Sequence, residues 1–300
     1  MELSPEVDLD VDSDVEVTEA ESEAHPDLRV RRVRFDWDGV PVRWLPDDPT
    51  AGHVINVIHV LLPPGERWFV EVYRDALDEI SDPRLRTEMR AFMGQEAVHG
   101  RSHAGFVDHM DANGYETAPL VEGVEGTIRF WERLGTRLIG RRATRKARVA
   151  VIAGIEHYTA VLGEWALTSE VFDRGDPVVA DILRWHGAEE LEHKCVAFDV
   201  HTELSGSYMW RIIGYGMATI QMLWWWRIGT RHLLARDPEL GVKGWRRRVF
   251  ASVRAGNLPG RELIAALFSY FRPGFHPSHR PTLELSRAYL ARSPAVAEVA

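Results

Sequence analysis

Apolar and polar positions along this chain recur in helical steps. Leu85, Met89, Phe92, Glu96, His99, His103, Phe106 and Met110 advance by alternating four and three residues, the spacing of the buried face of a bundle helix. Val179, Leu183, His186, Glu190, His193, Ala197 and Val200 repeat the scheme, as do Val149, Ile152, Glu156, Thr159, Gly163 and Ala166. A shorter stripe holds Glu66, Phe69, Tyr73, Ala76 and Ile80. The two long stripes are apolar at both ends and polar in the middle. The pattern predicts four core helices in one domain. Pro63-Pro64 reads as the start of the first, and Asp82-Pro83 as a cap and first turn of the second. Asn113-Gly114 closes the second. Tyr115 to Thr144, helical around Ile128–Ile139, supplies a long crossover, and Asp176-Pro177 opens the fourth helix.

Other periods flank this core. Arg29 to Trp37 alternates, Asp38-Gly39 suits a tight turn, and Val40 to Trp44 follows, which predicts a β-hairpin. Ile212 to Trp226 runs fifteen residues without a charge, bracketed by Arg211 and Arg227. A membrane span needs about 20 apolar residues, so the stretch is short for one. It reads as a fifth helix covering the bundle, with peripheral membrane contact (and a lipid entry route) and true spanning as alternatives. The expected layout is an all-α domain over residues 28–300. Its core covers about 62–204, an apolar accessory helix about 207–235, and C-terminal helices follow residue 240.

The net charge of -9 is unevenly distributed. Residues 1–27 hold eleven acids and no Lys or Arg, so the remainder carries +2 (-9 + 11). Such a segment is expected to be a disordered, solubilising tail. The basic clusters elsewhere are short and scattered, which argues against nucleic acid as a partner. A single cysteine, Cys195, excludes an internal disulfide, and the N-terminus lacks the basic start and apolar stretch of a signal peptide. A cytoplasmic protein is expected, with membrane association left open.

The chemistry sits at mid-stripe. Glu96-Ala-Val-His99 and Glu190-Leu-Glu-His193 are two copies of Glu-x-x-His, and each follows a helix bearing a lone carboxylate, Glu66 and Glu156. That order matches a four-helix bundle holding two metal ions, since an i, i+3 pair places carboxylate and imidazole on one face. A lone histidine on an apolar face is ordinarily a hydrogen-bonded core residue. Four helices each burying ionisable groups at mid-seam is costly without a cation. Glu66, Glu96, His99, Glu156, Glu190 and His193 are therefore the candidate ligands. His103 and His186, one turn away on the same stripes, are candidates for a seventh ligand or a hydrogen-bonding partner. Glu189 and Glu192 offer a second register for the fourth helix, or serve as acceptors or surface charges. Gly163 and Ala166, with Gly154 nearby, suggest room for a substrate.

The stretches Leu62–Arg67, Gly94–His103, Glu156–Thr159 and Trp185–Asp199 resemble the ferritin-like superfamily. More narrowly, the chain is similar to a bacterial family described as predicted metal-dependent hydrolases. The resemblance implies a ferritin-like bundle with a ligand set like that of di-iron oxygenases and oxidases. On this reading Glu96 and Glu190 bridge the metals or switch coordination, His99 and His193 take one each, and Glu66 and Glu156 are terminal. The cofactor expected is two iron ions, with manganese or a mixed Mn/Fe pair as alternatives. The expected function is O2-dependent oxidation (hydroxylation, desaturation or N-oxygenation) of a small or lipid-like substrate, with an electron donor as partner. The alternative is hydrolysis by metal-activated water, with Glu189 or a seam histidine as proton carrier. Metal storage is a third reading, and a homodimer is left open.

Overall fold

The computed structural model describes residues 23–297. Five long helices come first: α1 (Pro49–Ala76), α2 (Pro83–Ala112), α3 (Ala118–Thr168), α4 (Pro177–Leu204) and α5 (Tyr208–Arg236). Four shorter ones follow, α6 (Trp245–Arg254), α7 (Arg261–Tyr270), α8 (Leu283–Leu290) and α9 (Pro294–Ala297). The chain is all-α. Asp48, Asp82 and Asp176 each accept a hydrogen bond from a first-turn backbone N–H and are each followed by proline, which sets the starts of α1, α2 and α4.

α1 corrects the expected boundary. It starts at Pro49, and Pro63-Pro64 lie inside it. Two interior prolines forfeit the bonds that the His59 and Val60 carbonyls would accept, but both sides of the break are packed, with Val60, Leu62, Pro64 and Glu66 buried. The extra N-terminal turns bring Asn56 and His59 into the core.

The crossover is a helical hairpin. α3 breaks at Gly140 (φ 78, ψ 164), and the chain then returns beside itself. Arg148 Nη1 donates to Glu132 Oε1 at 2.8 Å across the two limbs, and Gly135 faces Thr144.

Residues 29–44 do not form the expected β-hairpin, and the described residues contain no strand. The Asp38-Gly39 turn exists, with Gly39 at φ +76 and Val40 N donating to Trp37 O at 3.2 Å. The two arms, however, bond to helices rather than to each other. Gln95 Nε2 donates to Arg29 O, Asn56 Nδ2 to Val42 O, and Asp176 N to Trp44 O. Two helix side chains and the backbone N–H of the α4 cap thus take up carbonyls of the extended segment that a partner strand would otherwise bond. The segment is a strap across α2 and α4.

Every stripe position named from the sequence is buried. Phe69, Met89, Phe92, Ile152 and Val200 belong to one apolar cluster, and Phe106, Met110, Val179 and Leu183 to another. The polar middles of the stripes lie between them. α5 lies on α1 and α3, where a Cβ on Gly214 would meet the Ala150 backbone at 2.5 Å and one on Gly154 the Tyr215 Cα at 3.0 Å. Gly154 is therefore a helix-packing residue and leaves no room for a substrate. Among the described residues no helix is long and apolar enough to cross a membrane.

The expected tail lies outside the described residues as far as residue 22. Its end is packed: Glu23 is buried, accepts from the first N–H groups of α8 (Leu283 N, 3.1 Å) and pairs with buried Lys194.

Candidate metal centre

α4 carries five ionisable residues in succession, Glu189, Glu190, Glu192, His193 and Lys194 with Leu191 between them, and all are buried. Successive residues on a helix are turned by about 100°, so the run divides among three directions. Glu189 and Glu192 face the strap, where Arg31 Nη1 lies 2.9 Å from Glu189 Oε1 and 2.7 Å from Glu192 Oε2. Glu190 and His193 face inward, towards α2 and α3. Lys194 points the other way, to Glu23, Arg280 O and Thr282.

The inward groups form one cluster. Glu96, His99, Glu190 and His193 each offer a donor atom within 4.8 Å of the others, and Glu66, His99 and His186 form a second such group. His193 Nε2 is 3.3 Å from Glu96 Oε1, His99 Nδ1 is 3.7 Å from the same oxygen, and His186 Nε2 is 3.8 Å from Glu66 Oε1. Each imidazole is oriented through its other nitrogen. His99 Nε2 is 2.8 Å from Glu189 Oε2, and His193 Nδ1 is 3.0 Å from Glu156 Oε2. Thr159 donates to Glu190 Oε2. Gly100 makes room: a Cβ there would stand 3.2 Å from Glu66 Oε2.

The residues fit a pair of cations. Both oxygens of Glu66 and of Glu96, Glu156 Oε1, His99 Nδ1 and His193 Nε2 are buried with no hydrogen-bond partner. Unpaired ligand atoms of this kind are costly; those of Glu66, Glu96, His99 and His193 belong to the two groups above, and Glu156 adjoins them through His193 Nδ1. Four inward carboxylates are the charge complement of two divalent ions.

Without a cation the cluster must take up protons. Burial, and then the neighbouring carboxylate Glu96, raise Glu66 well above its usual range. Burial and Glu190 do the same to Glu156. Burial alone would lower His193, but Glu190 and Glu156 more than offset it and raise it to about 9. His99 is raised against its burial by Glu189 and Glu96. Glu190 is the exception: burial opposes its charge, yet His193 and His186 pull it down to about 2.

His186 lies at the cluster edge, its Nε2 2.6 Å from Glu190 Oε1. His103 sits one step further out, with Nε2 2.5 Å from His186 Nδ1 and Nδ1 2.7 Å from His59 Nδ1. The sequence reading missed His59, although it stands two turns before Glu66 on the same face of α1. It also missed Arg31, which lies outside the helices.

Two cavities of about 450 and 530 Å³ lie on either side of α5. Ile58, Thr159, Leu162, Met222 and Trp226 line both, so they share a wall. The first reaches Glu66; the second reaches Glu190, His103 and His186. Glu132, Arg148 and Gln221 also line the first and Arg227 the second; apart from these and a few hydroxyls the walls are apolar. Gly163 and Ala166 line the second, but Gly163 also lets two helices touch, since a Cβ there would lie 2.5 Å from Gly187 O.

Residues 29–280 match the model of a family described as predicted metal-dependent hydrolase. The chain belongs to that family. No curated protein and no solved structure matches it. The family description and the buried His/Glu cluster agree on metal dependence.

Proposed function

We propose that this member of the family is a dimetal-dependent hydrolase acting on an apolar substrate, within a bundle of ferritin-like design. The observation that carries the reading is the set of unpartnered inward donors beside two apolar cavities. Glu66, Glu96, His99, Glu156, Glu190 and His193 would hold the ions, with His186 as the further ligand. Two divalent ions bound there would supply Lewis acidity and an activated water or, if redox-active like iron, electrons for O2. The protein's part is to position and exclude. Glu189 orients His99 through Nε2; burial opposes its charge, but His99 and then Arg31 hold it in its charged, accepting form. His186 turns Nε2 towards Glu190 and Glu66, which leaves Nδ1, against His103 Nε2, as the nitrogen that can hold a proton beside the substrate cavity. Glu189 lies behind His99, so it acts as a positioning residue rather than the proton carrier. The apolar walls keep bulk water from the reacting group.

O2-dependent oxidation is the second reading, and a specific observation favours it. The donor set is carboxylate and imidazole without sulfur, which suits iron or manganese. The cavity walls nearest the cluster also offer few donors for a leaving group. The test is to load the purified chain anaerobically with Fe(II) or Mn(II). Long-chain ester cleavage and O2 uptake are then measured in parallel. Metal-dependent cleavage that proceeds without O2 supports hydrolysis. Fe(II)-dependent O2 uptake without cleavage moves the assignment to oxidation, and iron loading far above two per chain moves it to storage.

A further inference from the structure

The tip of the α3 hairpin has no role in the metal centre. Residues 133–148 contain seven basic residues and no acid. Arg145 pairs with Glu79, and Arg148 with Glu132 and Asp75. The other five, Arg133, Arg137, Arg141, Arg142 and Lys146, form no ion pair among the described residues. At the turn itself, beside Gly140, Leu138 is 70% exposed and Ile139 48%. Trp131 on the same limb and Ile213 on α5 are also exposed. All four of these apolar residues line the first cavity, the one that ends at Glu66. The mouth of the cavity therefore opens on an apolar, cationic knob.

We propose that this knob docks on the surface of an anionic phospholipid bilayer, inserting Leu138 and Ile139 among the acyl chains while its arginines meet the headgroups. Exposed apolar side chains ringed by unpaired cations fit a charged interface, where both groups gain. Contact is peripheral, because no described helix is long and apolar enough to cross. A second copy is a poor occupant: two identical tips of this charge repel. The acids that make the whole chain negative are concentrated before residue 28, so net charge does not describe this face. Docking here would set the cavity mouth against lipid chains and give an apolar substrate a path that avoids water.

The full-length protein is sedimented with vesicles of phosphatidylcholine alone, or of phosphatidylcholine with added phosphatidylglycerol, at low and high salt. Binding is expected only with phosphatidylglycerol and should weaken with salt. Each arginine near such a surface is worth about five-fold in binding, so the Arg141→Gln, Arg142→Gln pair should bind about thirty-fold more weakly. Leu138→Ser, Ile139→Ser should weaken binding by about ten-fold or more. These positions are exposed, and melting curves check that both variants fold like the parent. Absence of vesicle binding, equal binding to both lipids, or unchanged binding by the variants overturns the proposal. So does a dimer on gel filtration that Leu138→Ser, Ile139→Ser disperses. The assay needs neither metal nor turnover, so its failure leaves the metal centre to stand or fall separately.

Discussion

Metal-free protein should lose stability as pH rises from 7 to 9, and His193 allows the size of the loss to be worked out. Its folded value is raised to about 9 against a usual 6.5. A group with a raised folded pKa stabilises fully below its unfolded value and loses that contribution as pH climbs through the folded one. Integrating the linkage for this side chain alone gives a fall of about 2 kcal/mol between pH 7 and 9. His99, Glu66 and Glu156 are raised as well, so they act in the same direction. The groups with lowered values do not cancel the slope. Glu190 at about 2 and His59 at about 3 titrate far below the window, and His103 and His186 are already neutral in both states above 6.5. The assay is urea denaturation of chelator-treated protein at several pH values. Bound metal should reverse the trend, because ions take the place of the protons. Apparent affinity should therefore rise about tenfold per pH unit below 9 for each proton released. A metal-free stability that is level or rising across pH 7 to 9 would refute the idea of a proton-loaded cluster awaiting cations.

Four further outcomes are expected. The Glu96→Ala, Glu190→Ala double variant should fall from about two metal ions per chain to none by elemental analysis. Glu189→Gln should keep the fold but weaken metal binding about 10- to 100-fold by calorimetry, because His99 loses the carboxylate that orients it. Gly163→Ala should cost about 1–3 kcal/mol in chemical denaturation, since its Cβ would press on the Gly187 backbone at 2.5 Å. Gly126→Ala, with nothing within 4 Å of the new atom, should be neutral or gain up to about 1 kcal/mol.

The helical stripes were legible because they are set by local spacing and by the cost of burying polar groups. Both apolar ends and the polar middle of each long stripe lie where the pattern puts them. Asp82-Pro83 and Asp176-Pro177 read correctly because a cap and a first-turn proline act within four residues. Pro63-Pro64 read wrongly because the same dipeptide signal favours a start locally, while tertiary packing carries α1 through it. That error hid His59. The strap failed for a related reason. Alternation and Asp-Gly specify an extended arm and a turn, but not what the arm bonds to, and here the partners are Gln95, Asn56 and Asp176, distant in sequence. The hairpin tip was legible only in part: its charge shows in the sequence, but its place at a cavity mouth depends on α5 packing against the same limb.

Arg31 answers the question of register that α4 raises. Glu189 and Glu192 are spaced i, i+3, as are Glu190 and His193, so either face could in principle supply a bundle seam with a carboxylate. Turning α4 by one residue would carry Glu189 and Glu192 into the seam and move Glu190 and His193 out of it. Arg31 holds two nitrogens against Glu192 at 2.7 Å and one of them against Glu189 at 2.9 Å. The guanidinium is largely buried, with 19% of its side chain exposed. In the other register it would lose both partners while two carboxylates entered a seam already rich in them. Breaking a buried pair in this way costs about 3–5 kcal/mol. The register of the helix that brings most to the candidate metal centre is thus fixed from outside the bundle, by a cation on an extended strap.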